Sequence, residues 1–599
     1  MSTTTDITKN EAAPAVEAGG LIALPQSAAR ALVAGGAALT IASTFLSWTW
    51  TAAFPGNLTV YGYPAGLQIL TLVAAAVALL FGLNLFNVRG LGWVNPAKAT
   101  APVFLASLAA FAVVWFTMIA IAVELGGLAN LEPGGFVAAI AAALPIVGAL
   151  ALPSPGDTFK AYFRKPERIP APTTELAPWA QRLVITLAAT VGLIAFTYGI
   201  GVDDEESQTF IGFLILVLFT TWALFAAGLT ERYSHLNAQH RGFATAMIFL
   251  AAAIFPFTQS DDANANLGVS ILIFGTVALG LNIVVGLTGL LDLGYVAFLG
   301  VGAYAAALVS GSEFSRFSGV QFPFWAAALT GMAASLVFGV LIGAPTLRLR
   351  GDYLAIVTLG FGEIFRIAIN NMDGTSGPDL TNGPDGIAQI PDLEILGFNF
   401  GEVHEVAGFT LGRFANYFFL MLLITALVVL VFTRAADSRI GRSWIAIRED
   451  ETAATAMGIN GFRVKLIAFA LGAALAGLAG TVSAHVTYSV VPNPYQFAGA
   501  APPNSAFLLA AVVLGGMGTV AGPILGATLL YLIPEKLGFL KEYELLAFGI
   551  ALVLLMRFRP EGVIANRRQQ LEFHETGQLD VPDEKGLTEN TVGVTKSGA

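Results

Sequence analysis

Residues 505–533 read SAFLLAAVVLGGMGTVAGPILGATLLYLI, an apolar run without a charge that carries Gly515, Gly516, Gly518, Gly522 and Pro523 at its centre. A helix of about 20 apolar residues crosses the roughly 30 Å hydrocarbon core of a bilayer, so a run of this kind belongs in a membrane. Glycine and proline weaken or break a helix, which leaves two paths: one long kinked helix, or a helical hairpin. The flanks favour the hairpin. Arg557, Arg559, Arg567 and Arg568 follow the next apolar run, and Lys and Arg collect on the cytoplasmic side of membrane proteins. A single crossing at 505–533 strands those arginines outside. A hairpin whose turn reaches toward the cytoplasmic side keeps them in, and its non-helical backbone must then be satisfied by protein or by a water-filled cavity.

The same pattern recurs along the chain. Hydrophobic residues make up 56% of the sequence and charged residues 12%, against about 25% charged in a soluble domain. Too little polar surface remains to cover a water-soluble globule, so the expected fold class is all-α: a polytopic α-helical membrane protein. Apolar segments are expected near 31–50, 64–87, 101–123, 135–152, 182–200, 209–230, 243–258, 267–287, 295–310, 323–343, 353–370, 414–433, 464–483, 505–533 and 544–557. Residues 1–27 and the polar tail 567–599 read as disordered and cytoplasmic. Composition divides the rest near 260, giving extra transmembrane helices over 28–264 and a Gly-rich core over 265–566. Residues 1–27 lack the apolar core and cleavage site of a secretory signal.

Basic residues orient the chain. Lys160, Arg164, Lys165 and Arg168 mark one cytoplasmic loop, Arg232 and Arg241 another, Arg348 and Arg350 a third, and Arg434 through Lys465 the largest. Acidic loops alternate with them at Asp203–Glu206, at Asp261–Asp262 and over 371–412, and both termini come out cytoplasmic. The net charge of −10 is spread over loops and tails. No basic patch with interleaved aromatics suggests nucleic acid. With no cysteine and five histidines without ligand spacing, neither a metal nor another cofactor is expected.

Two regions of the core carry the chemistry. Residues 435–463, AADSRIGRSWIAIREDETAATAMGINGFR, are too polar to span a membrane and suited to a short helix. Ile445, Ile447, Ala453, Ala454 and Met457 offer it a partly apolar face. Arg442, Arg448, Glu449, Asp450 and Glu451 keep it in water, and Gly458 provides a helix end. Such a helix can dock in a partner's groove, or remain a solvated loop helix. Residues 280–308, GLNIVVGLTGLLDLGYVAFLGVGAYAAAL, are interrupted by Gly286, Gly289 and Gly294 beside Asp292. A broken helix exposes backbone groups suited to the ammonium and carboxylate of a zwitterion, while the alternative is close packing through small residues. Gly472, Ala473, Ala476, Gly477 and Gly480 read simply as packing. Glu363 and Arg366 stand one helical turn apart and can pair, either as part of a pathway with Gly515, Gly516 and Gly518 or as a clamp. His485 reads as an interfacial histidine.

AATAMGING at 453–461, preceded by Glu451, resembles the EAA loop of ABC-importer permeases. LRLRGDYLAIVTLGFGEIFRI (347–367), GRSWIAIREDETAATAMGIN (441–460), VVLGGMGTVAGPILGA (512–527) and RPEGVI (559–564) together resemble the LivM family of branched-chain amino acid permeases, over roughly 265–566. Thr452 intervenes between Glu451 and the alanines, and the downstream Ile-x-Leu-Pro of the general loop is absent. The resemblance implies a permease subunit, not an enzyme, in a bacterial inner membrane, importing leucine, isoleucine and valine by alternating access. It implies coupling through Arg442, Arg448, Glu451, Ala453, Ala454 and Gly458. The implied partners are a second, LivH-like permease, two ATP-binding subunits of the LivG and LivF kind, and a periplasmic or extracellular binding protein that docks on the 371–412 face. The chain has no Gly-Lys pair and so no phosphate loop of its own. Urea or short amides are alternative cargoes. An ion-coupled transporter would want a midplane carboxylate, and an integral membrane enzyme a convergent acid, base or metal cluster that the sequence does not display.

Overall fold

The computed structural model describes residues 20–49, 66–538, 543–558 and 562–564, apart from 87, 89, 97, 125–126, 155–158, 164–175, 203–206, 260, 349–351, 376, 396, 407 and 500–501. The expected tails 1–27 (to residue 19) and 567–599, the acidic stretch at 203–206, and Arg164, Lys165, Arg168, Arg350, Arg559, Arg567 and Arg568 lie outside the described residues.

Apolar runs without charges leave the backbone no partner but itself in a membrane, and helices result. The chain divides into two compact units, 1–251 and 252–599. The first holds α1 (Gln26–Ser43), α2 (Leu67–Asn84), α3 (Thr100–Glu124), α4 (Pro133–Leu150), α5 (Pro178–Gly201), α6 (Ser207–Ala226) and α7 (Leu229–Gln239), with α8 (Arg241–Ile254) running across the division. Ala29, Val33, Phe81, Phe104 and Tyr162 meet in its core. The buried Tyr162 hydroxyl donates to Leu150 O at 2.9 Å and accepts from Leu21 N at 3.3 Å.

The second unit contains α9 (Asp262–Asn282), a π-helical turn (Ile283–Leu287), α10 (Val296–Leu308), α11 (Phe324–Thr346), α12 (Asp352–Asn370), α13 (Arg413–Asp437), α14 (Arg439–Glu449), α15 (Glu451–Ala456), α16 (Gly461–Val486), α17 (Ser505–Gly515), α18 (Ala521–Lys536) and α19 (Glu544–Phe558). Residues 371–412 add two small antiparallel hairpins, β1 (Glu394–Ile395) with β2 (Phe398–Asn399) and β3 (His404–Val406) with β4 (Phe409–Leu411). The expected small-residue stripe of α16 packs tightly. A side chain at Gly302 of α10 would overlap the Gly477 backbone, and one at Gly480 the Leu299 carbonyl. Helices approach this closely only through such residues.

Among the described residues, eleven helices are long and apolar enough to cross a membrane. Two expected segments differ, and a third takes the hairpin path that the flanking charges favour. The helix expected over 31–50 is α1, 18 residues long from Gln26 to Ser43, and it is not among the eleven. The segment expected at 295–310 is α10, only 13 residues, about 20 Å at 1.5 Å per residue. It reaches partway, because the apolar run that precedes it breaks at 288–294. The run at 505–533 is the hairpin: α17 and α18 pack antiparallel, Gly515 against Gly522 and Gly526 against Ala511.

At the end of the second unit that carries residues 371–412, a polar cluster ties this loop down. Arg413 Nη2 pairs with Asp392 at 2.9 Å, Arg413 donates to His485 O at 2.7 Å and Val486 O at 2.9 Å, and its guanidinium lies 3.5 Å from the Tyr488 ring centre. His485 is 3% exposed and its Nδ1 lies 3.1 Å from Pro391 O. It is a buried histidine beneath the loop rather than an interfacial one, because the loop folds over the helix end.

Candidate functional site

At the opposite end of the second unit, caps shape the loop between α13 and α16. Ser438 accepts from Gly441 N at 3.1 Å and starts α14. Asp450 Oδ1 accepts from Thr452 N at 2.8 Å and Ala453 N at 2.9 Å and starts α15. Asn460 accepts from Arg463 N at 3.0 Å and starts α16. Each is the side chain that best satisfies a helix's first unpaired N–H groups. Gly458, at φ +90, ends α15 in the left-handed region that glycine tolerates.

Tertiary anchors fix the orientation of this loop. Trp444 is buried and its indole donates to Val464 O at 2.8 Å. Glu451 pairs with Lys465 at 2.7 Å, and Lys465 is 5% exposed. Arg442 donates to Asp437 O at 3.1 Å. Of the residues expected to couple to a partner, Glu451 and Arg442 therefore also hold the loop to its own chain. Ala454 is 5% exposed and faces the chain's interior, whereas Ala453 and Gly458 are exposed and Met457 is 84% exposed. The surface open to a partner is thus Thr452, Ala453, Thr455, Ala456, Met457 and Gly458.

Several expected pathway residues converge directly on this loop. Arg448 of α14 donates to the carbonyl of Gly286 at 2.7 Å, in the π-helical turn, and a side chain on Gly289 would come 2.9 Å from Arg448 Cγ. One turn earlier, Asn282 reaches the α17–α18 turn: its Nδ2 donates to Thr519 O at 2.7 Å, and its Oδ1 accepts from Gly518 N at 2.8 Å. The same turn receives the 562–564 segment. Val563 N donates to Leu514 O at 2.8 Å and Ile564 N to Gly515 O at 2.9 Å, satisfying carbonyls that the end of α17 leaves unpaired. Gly286, Gly289, Gly515, Gly516, Gly518 and Arg448 form one assembly.

The other candidates lie apart from it. Asp292 is buried, with Oδ1 accepting from Gly294 N at 3.0 Å and Oδ2 without a hydrogen bond among the described residues. A side chain on Gly294 would overlap the Thr358 carbonyl of α12, and Leu293 N donates to Thr358 Oγ1 at 3.1 Å. Glu363 and Arg366 do pair, at 2.9 Å, and Glu363 Oε1 accepts from Phe497 N at 3.1 Å. Asn282, Lys465, Trp444 and Arg413 were not singled out from sequence. Asn282 had a signal: it is the polar residue within the otherwise apolar stretch 274–287 besides Thr276, and polar groups at membrane depth are costly unless used.

The arrangement is a helical loop gripped to a broken helix and a helical hairpin. Among the described residues no group of His, Cys, Asp or Glu could hold a metal ion.

Residues 264–556 match a family model described as branched-chain amino acid transport system, permease component. The chain is 40% identical over 350 residues to the high-affinity branched-chain amino acid transport system permease protein LivM of Salmonella typhimurium, covering 56% of this chain and 77% of that relative. It is 41% identical over 346 residues to LivM of Escherichia coli, covering 55% and 76%. It is 34% identical over 144 residues to the LivH permease protein of the same Escherichia coli system, covering 24% and 44%. No solved structure matches the chain.

Proposed function

The chain belongs to the branched-chain amino acid transport permease family, and from that premise we propose that it is the LivM-type permease subunit of an ATP-driven importer for leucine, isoleucine and valine. The observation that carries this reading is the 40% identity extending over 77% of a LivM relative. The coupling loop α14–α15 then faces the cytosol together with both termini, and residues 371–412 face the side from which a binding protein delivers substrate. Lys160, Arg348 and Arg557 agree with that orientation, since basic residues favour the cytoplasmic side.

The membrane partner in this reading is a second, LivH-like permease, because the chain resembles both permease proteins of one Escherichia coli system. One of two ATP-binding subunits docks on the exposed face of α15, and substrate crosses between the two permeases. Glu363 and Arg366 belong to that crossing: side chains of an ion pair about a third exposed within a membrane helix are tolerated against protein or water rather than lipid.

The test is uptake in cells lacking their own branched-chain importer and supplied with this chain and its neighbouring transport genes. Radiolabelled leucine should accumulate, and unlabelled isoleucine or valine should suppress it. Urea or a short amide that competes as well as valine would move the substrate to that class.

A further inference from the structure

We propose that Asn282 is the positioning residue that ties the hairpin turn to the coupling loop, so that movement of α14 is delivered to 516–520. The inference rests on the permease reading and goes beyond it by naming the connection.

Asn282 is fully buried, at 0% exposure, within a membrane-crossing helix. Both ends of its amide are committed to the hairpin turn, one to Thr519 O and one to Gly518 N. That turn is non-helical backbone in the membrane domain, where unsatisfied groups cost several kcal/mol, and Asn282 supplies two of its hydrogen bonds from a helix distant in sequence. The next turn of the Asn282 helix is π-helical, a local widening frequent at functional sites. Its Gly286 carbonyl is held by Arg448. A side chain on Gly286 would meet both Asn282 Oδ1 and Gly518 N, so helix, turn and loop touch at one point.

Arg448 therefore grips the π-helical turn from the loop side, and Asn282 grips the hairpin from the helix side. The 562–564 segment holds the end of α17 through two further hydrogen bonds. Displacement of α14 is passed to the π-helical turn through Arg448 and on to the hairpin turn through Asn282. The test measures the coupling itself.

The chain has no cysteine, and Met517, half-buried in the turn, accepts a reporter as Met517→Cys. In the assembled complex in liposomes, the rate of thiol labelling at 517 should change on adding a non-hydrolysable ATP analogue. Adding Asn282→Ala should shrink that change roughly fivefold or more, the low end of ordinary coupling factors. ATP hydrolysis should persist and substrate moved per ATP should fall. A loss of packing alone would instead lower the amount of complex and leave the ratio of uptake to hydrolysis unmoved. Should Asn282→Ala fail to accumulate, Asn282→Ser, which keeps a small polar side chain at the site, is read by the same ratio. A nucleotide response and an uptake-to-hydrolysis ratio equal to the parent's in the variant overturn the proposal. Absence of ATP-linked uptake by the parent overturns the permease reading, and this one with it.

Discussion

Replacing Ala453 or Met457 with arginine should lower ATP-driven uptake at least tenfold while the protein reaches the membrane at parental levels. Both residues are exposed, Met457 at 84%, and neither supports the chain's own packing. In the proposed complex they lie in the groove of the ATP-binding partner. A buried, unpaired charge at an interface costs about 3–5 kcal/mol, and well-packed anchor positions about 2 kcal/mol or more, so a tenfold loss is a lower bound. Ala454→Arg is the contrasting variant. Ala454 is 5% exposed, and arginine there should disorder the loop and expose it to protease before any partner is added. Equal uptake by Ala453→Arg, Met457→Arg and parent would remove α15 from the coupling interface.

The second large effect lies in the hairpin. A side chain on Gly515 would overlap the carbonyl of Gly522, and the obstruction is backbone rather than a movable side chain. Overpacking costs typically about 1–3 kcal/mol and more where nothing can yield. Gly515→Leu should therefore splay α17 from α18, displace the 562–564 segment and abolish uptake. Detergent-solubilised protein should also lose thermal stability. Gly192→Leu is the control, because nothing lies within 4 Å of a side chain there. A Gly515→Leu protein as stable and as active as the control would contradict the packed hairpin.

Local chemistry made part of this architecture legible. Gly515, Gly516, Gly518 and Pro523 mark a break within an apolar run, and the charge rule favoured a hairpin over one kinked helix. Gly458 ends α15 by capping chemistry that operates within a few residues, whereas the single short helix expected to carry Ile445 through Met457 is divided at Asp450, whose side chain caps α15. Glu363 and Arg366 pair because one helical turn separates them. The stripe Gly472, Gly477 and Gly480 shows its purpose in its spacing. The unread features all depend on residues far apart in the chain. Asn282 meets Thr519, Glu451 meets Lys465 across a loop, Arg413 meets Asp392 and the end of α16, and Val563 meets Leu514. No periodicity encodes such pairings. The bounds of α10 were legible too: it is expected over 295–310 and runs from Val296 to Leu308, after a break marked by Gly289, Asp292 and Gly294. Ala454 differs again, since spacing places it beside Ala453 but only packing decides which of the two turns inward.

In the proposed complex this chain moves branched-chain amino acids at the expense of ATP hydrolysed by partner subunits. The direct measurement is uptake of radiolabelled leucine into liposomes holding this chain, its second permease and the ATP-binding subunits, with the binding protein and leucine outside and ATP enclosed. Accumulation should require enclosed ATP and be indifferent to collapsing proton and sodium gradients with ionophores. Uptake that continues without ATP and stops when the gradients are collapsed would contradict it and establish an ion-coupled transporter instead.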